Sequence, residues 1–215
     1  MAKHKTNTQE PDEFLEALKR GYMYVRENIK FVSMIAGGIL AAVLIILFVL
    51  YQVKSARIQE ATALDNAVSA FHQGRLKDAL EFLKAFSGKE DLAAARAEMY
   101  RGNIFYDQAK YKEALQHYQA ALKIARSKKI EVVQDLAHQG IADTELALGH
   151  PDQAEAAFHK VGERFRDFAL LELGRIYAAQ GKIRKAVKAL DDLINNYSDS
   201  PWVPAAKELK GQLVP

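Results

Sequence analysis

The 215-residue chain contains no cysteine, one tryptophan and five prolines. Without cysteine there is no disulfide, no thiolate metal site and no cysteine nucleophile. Neither sign of charge dominates: 30 Lys and Arg stand against 27 Asp and Glu, a net +3, which gives no electrostatic ground for a nucleic-acid partner. No segment alternates apolar and polar residues as a half-buried strand would. There is no glycine-rich dinucleotide or phosphate loop, no nucleophile elbow and no pair of histidines at metal-binding spacing on one helix. The histidines at 4, 72, 117, 138, 150 and 159 are scattered, and the carboxylates at 90–91 and 191–192 read as solvated faces. These absences predict a non-enzyme with no cofactor, no metal and no small-molecule substrate.

What is present begins with one uncharged run, residues 31–51, in which thirteen of 21 residues are Phe, Val, Ile or Leu. As a helix it reaches roughly 30 Å, the thickness of a bilayer's hydrocarbon, and the thirteen together favour insertion by roughly 4–8 kcal/mol. The run is too long, and too far from the first residue, for a cleaved signal peptide, so a retained single-pass anchor over 31–53 is expected. Before it, residues 1–11 are polar and aperiodic and read as a disordered tail. Over 12–30, Phe14, Leu18, Tyr22, Val25 and Ile29 form one apolar stripe, an amphipathic helix for the cytoplasmic membrane face or a partner there. Lys19, Arg20, Arg26 and Lys30 precede the span closely and only Lys54 and Arg57 follow it. The positive-inside rule then predicts a cytoplasmic N-terminus, with the rest on the far side.

Residues 58–213 carry a repeat. Gly102, Phe105, Ala114, Tyr118 and Ala121 have the same offsets as Gly174, Tyr177, Ala186, Leu190 and Leu193. Weaker copies run through Ala67, Gly74, Ala79, Leu83 and Phe86, and through Ala142, Gly149, Ala154, Phe158 and Val161. This spacing resembles the tetratricopeptide repeat, a helix–turn–helix of about 34 residues. The tryptophan position of that signature is not kept, and Ala109 replaces the turn glycine of the second unit. The expected fold class is all-α: an N-terminal transmembrane helix, then an α-solenoid of about four units. A capping helix is expected from Ser200 and Pro201 to about Leu213.

Repeat arrays of this kind bind proteins along the face built by the first helix of each unit. Carried over by position, that face takes Leu64, Val68 and Phe71 from the first unit and Met99, Asn103 and Tyr106 from the second. It takes Gln139, Asp143 and Leu146 from the third and Leu171 and Arg175 from the fourth. The set is apolar with a few hydrogen-bonding groups, suited to an extended or helical peptide. Leu64 and Val68 replace two positions of the clamp that holds acidic chaperone tails, so such tails are not expected.

The order of parts, with DEFLEALKR, then VRENIK, then the span and the repeats, resembles the YfgM-like family of bacterial membrane proteins. The resemblance implies an inner-membrane anchor with the repeats in the periplasm. It also implies a scaffold or chaperone-like role beside the Sec translocon, with translocon subunits, periplasmic chaperones or emerging polypeptides as partners. An assembly adaptor for another envelope complex, such as pilus, secretion or division machinery, is the alternative.

Overall fold

The structure, a computed structural model, describes residues 10–214. Most of the expected tail over 1–11 therefore lies outside the described residues; Glu10 and Pro11 open the first helix. The chain divides between Arg57 and Ile58 into two compact units.

In the N-terminal unit, α1 spans Glu10–Glu27 and α2 begins at Ile29. Backbone hydrogen bonding runs through the join: Asn28 N donates to Tyr24 O at 3.0 Å and Val32 N to Asn28 O at 2.9 Å. Phe14, Leu18, Tyr22 and Ile29 are exposed, and so is the apolar run that follows. Helix α2 extends over Ile29–His72, and its apolar window has a mean hydropathy of 2.8 with no residue buried. By length and composition it can cross a membrane.

The second unit, from Ile58, is built of helix pairs. The end of α2 pairs with α3 (Leu76–Leu83), α4 (Leu92–Asp107) with α5 (Tyr111–Ser127), and α6 (Glu131–Ala147) with α7 (Pro151–Phe158). Then α8 (Arg166–Ala179) pairs with α9 (Ile183–Asn196), and α10 (Val203–Leu213) closes the array. This is the all-α tetratricopeptide architecture, and the repeat positions explain it. The central alanines Ala79, Ala114, Ala154 and Ala186 are all fully buried, as are Leu83, Phe158 and Leu190 at the large position that follows. A methyl group there lets two helices meet closely while the larger neighbour fills the gap between pairs.

The pairs turn through a recurring backbone motif. Gly149 N donates to Leu146 O and His150 N to Glu145 O, with Gly149 at φ 82°. Ala109 N donates to Tyr106 O and Lys110 N to Phe105 O, with Ala109 at φ 57°. These are Schellman turns, which satisfy the last helical carbonyls through one left-handed residue. Alanine at that point keeps the turn and takes on the strain that glycine avoids.

The cap differs in detail from the sequence reading. Helix α10 starts at Val203, with Pro204 in its first turn. Ser200 serves both sides: its Oγ donates to Asp167 Oδ2 at 2.7 Å, tying the cap's approach to α8, and accepts from Trp202 N at 3.2 Å. Trp202 stands edge-on to Phe168 with centroids 5.3 Å apart, and Val203 and Ala206 are buried in the core of the last pair.

Candidate protein-binding groove

Helices α4 and α6 are the first helices of consecutive pairs, and the second helix between them, α5, supplies the floor. The groove they form has a volume of about 420 Å³. Helix α4 contributes Arg96, Met99, Tyr100 and Asn103; α6 contributes Val133, Leu136, Gln139, Gly140 and Asp143; Tyr118 comes up from α5. On each lining helix the positions recur at three- and four-residue spacing, which keeps them on one face.

The floor is set by Tyr118. Its ring passes so close to α4 and α6 that a Cβ at Gly102 or Gly140 would overlap it, at 2.5 and 2.7 Å. Its hydroxyl donates to Asn103 Oδ1 at 2.7 Å, which fixes the Asn103 amide at the groove wall. Burial, and then the nearby Asp143 and Asp107 charges, push the Tyr118 phenol well above its usual range, so it stays a neutral donor. Burial, with the charge of Glu172 as the second cause, pushes the Asp143 carboxyl up to about 6.

Of the sequence-predicted face, Met99, Asn103, Gln139 and Asp143 come together here. Phe71 stands beside them, half-buried and edge-on to Tyr100 with centroids 6.0 Å apart. Val68 and Tyr106 are half-buried, and Tyr106 packs on Tyr111 at 5.4 Å between centroids. Leu146 packs on the core of the last two pairs. Arg175 is exposed and pairs with Glu172 at 2.6 Å, away from the groove lining. Two positions need correction. Leu171 is 0% exposed and Leu64 is 5% exposed, each inside a hydrophobic cluster, so neither presents surface to a partner.

Arg96, Tyr100, Tyr118, Val133, Leu136 and Gly140 were not in the predicted set. Arg96 and Leu136 lie three residues before Met99 and Gln139, so following the same helical face back by one turn reaches both. Among the described residues, no group of three or more His, Asp or Glu could hold a metal ion.

With this geometry in view, the known relatives can be placed. Residues 66–172 are similar to the family model of the Suppressor of spindle checkpoint defect 1 C-terminal domain, and residues 168–200 to a tetratricopeptide-repeat model. No curated protein matches the chain. Among solved structures, the nearly identical TPR-like repeats described as kinesin light chain from Podosopora anserina superpose with a TM-score of 0.59 at 15% identity. The match covers 74% of this chain and 85% of that one, and a single-substitution variant of the same repeats matches equally. At that identity the likeness shows the fold.

The YfgM-like resemblance is overturned. The family models that match the repeat region are the spindle-checkpoint suppressor domain and the tetratricopeptide repeat. The features behind the resemblance, one apolar run ahead of helical repeats, specify an architecture that unrelated chains reach by the same physics. The bacterial inner-membrane setting, the translocon and the periplasmic chaperones lose their support with it. Tetratricopeptide families are typically non-catalytic protein-binding scaffolds, and the chain is of that repeat type.

Proposed function

We propose that the protein is a membrane-anchored, non-catalytic scaffold that holds a segment of a partner protein in the α4–α6 groove. The observation that carries this is the groove itself: partly exposed Met99, Asn103, Gln139 and Asp143 converge on one concave face over the Tyr118 floor. Backbone amides of a bound segment would meet Asn103 and Gln139, and its apolar side chains Met99 and Leu136. In this reading residues 12–30 form a helix on the cytoplasmic side, 31–53 cross the bilayer, and 58–213 form the binding domain beyond it. The exposed apolar helix supports the span, and the four-to-two Lys/Arg bias supports the direction. Anchoring raises the local concentration of groove and partner, so a weak contact suffices. A photocrosslinker placed at Met99 or Gln139 in the full chain, in its membrane, should trap proteins through extended segments, identifiable by mass spectrometry. The same probe at exposed Lys123 should not. Equal trapping at Lys123, or loss of the adduct only when the core unfolds, would remove the groove from the function.

The second reading is an assembly adaptor, in which the groove grips one constant folded partner of a membrane complex rather than many extended chains. Adducts confined to a single stoichiometric protein would favour it.

A further inference from the structure

The groove holds a carboxylate that the fold leaves uncompensated. Glu172, its acidic neighbour, is matched to Arg175 at 2.6 Å. Among the described residues no Lys, Arg or His pairs with Asp143, and no donor reaches its side-chain oxygens within hydrogen-bond distance. Asp143 is nonetheless half-buried, between elements that fix its position. A charge so placed is desolvated without receiving a counter-charge.

The other titratable groups facing it offer none. Tyr106 and Tyr118 are phenols, both pushed above their usual range by burial first, with the Asp143 charge next. Asp107 and Glu172 add negative charge nearby. Arg96 lines the same groove, but seven residues before Asn103 on α4, about 10 Å along a helix and toward the end that Val133 lines. The groove is therefore polarised, negative where α4 and α6 end their contribution and positive where they begin it.

We infer that the Asp143 end of the groove receives a lysine or arginine side chain from a partner's peptide segment, with apolar neighbours of that side chain against Met99 and Leu136. This rests on the groove reading above and adds to it the chemistry of the occupant. A cation at Asp143 supplies the missing counter-charge in a partly desolvated site, where a charge-assisted hydrogen bond is stronger than one between neutral groups. An acidic side chain there would meet the unpaired Asp143, with Asp107 beside the same Tyr118, and be repelled. The partner is thus opposite in charge to the acidic tails that the missing clamp already argues against.

The test uses the full chain in nanodiscs and three amidated nonapeptide pools, identical except for a fixed central residue: lysine, glutamate or norleucine. The remaining positions are mixtures of small and apolar residues, and binding is read by fluorescence anisotropy. The lysine pool should bind at least fivefold tighter than the norleucine pool, and the glutamate pool weakest. Asp143→Asn should bring the lysine pool down to the level of the norleucine pool, and Asp143→Lys should reverse the ranking in favour of glutamate. The margin should shrink as salt rises. If lysine and norleucine pools bind equally, or the ranking ignores both substitutions, the cation inference fails while the groove reading stands. If no pool binds, both fail. If the chain self-associates through this face and the lysine pool does not displace it, the occupant is a second copy and the inference is overturned.

Discussion

A Cβ placed on Gly102 would lie 2.5 Å from Cε1 of Tyr118, closer than any side chain tolerates. The glycine of α4 and the ring of α5 are therefore one fitted pair, and Gly140 of α6 meets the same ring from the next helix. A methyl group at 102 must push the ring toward α6, where there is no room either. Gly102→Ala should cost about 1–3 kcal/mol, the usual range for overpacking, and lower the melting temperature of the detergent-solubilised chain by about 3–10 °C. Adding Tyr118→Leu should recover part of the loss relative to Tyr118→Leu alone. An unchanged melting temperature for Gly102→Ala would mean that the contact is not tight.

Ala109 sits at φ 57° in a turn where Gly149 takes φ 82°. An alanine in the left-handed region costs roughly 1 kcal/mol or more relative to glycine. Ala109→Gly should therefore stabilise the array by about 0.5–1 kcal/mol, and Gly149→Ala should destabilise it by a similar amount. Thermal unfolding by circular dichroism of both variants, side by side, reads the two opposite signs. Two shifts of the same sign would contradict the strain.

The repeat was legible because its residue types are dictated by contact geometry. Gly102 and Tyr118 recur as Gly174 and Leu190 sixteen residues apart, and in both units the glycine faces that larger side chain. The groove was legible in its middle, at Met99, Asn103, Gln139 and Asp143, where two complete units flank it. It was not legible at Leu64 and Leu171. Positional transfer assumes an open face at every unit, whereas tertiary packing closes over these two leucines, and nothing local to Leu171 marks that closure. The cap helix starts later than Ser200, after a turn at Pro201 and Trp202, and the Ser200 hydroxyl bonds Asp167, 33 residues away, as well as Trp202 N.

Asp143 also predicts a pH dependence with a definite sign. Its carboxyl is raised in the fold, from 3.8 to about 6, chiefly by burial. A group raised in this way supports the fold below the unfolded value and loses that support as pH rises through the folded one. Near neutral pH the ionised Asp143 is a burden, with an upper bound of about 3 kcal/mol. Asp143→Asn should therefore raise the melting temperature at pH 7.5, and the gain should fade between about pH 6 and pH 4. Comparing the variant with the parent at each pH cancels the other titrating groups, such as His138, whose burial holds it below the usual range and works in the opposite sense. A gain that is constant with pH would assign the effect to packing instead of charge.

The absence of cysteine makes the membrane orientation directly measurable. Lys19, Arg20, Arg26 and Lys30 lie before the apolar run, against Lys54 and Arg57 after it. This excess should hold the N-terminal side in the cytoplasm. A single cysteine from Glu13→Cys should then react with an impermeant maleimide only in inside-out vesicles, and one from Lys123→Cys only in right-side-out vesicles. The two report opposite sides of the same span, so each is the other's control. Replacing Lys19, Arg20, Arg26 and Lys30 with glutamine removes the excess and leaves Lys54 and Arg57 as the Lys/Arg within about 15 residues of the span. That variant should label in both vesicle types or invert. Should the parent chain label at Lys123→Cys only in inside-out vesicles, the repeats face the cytoplasm. The partner pool for the groove then changes compartment while its chemistry at Asp143 does not.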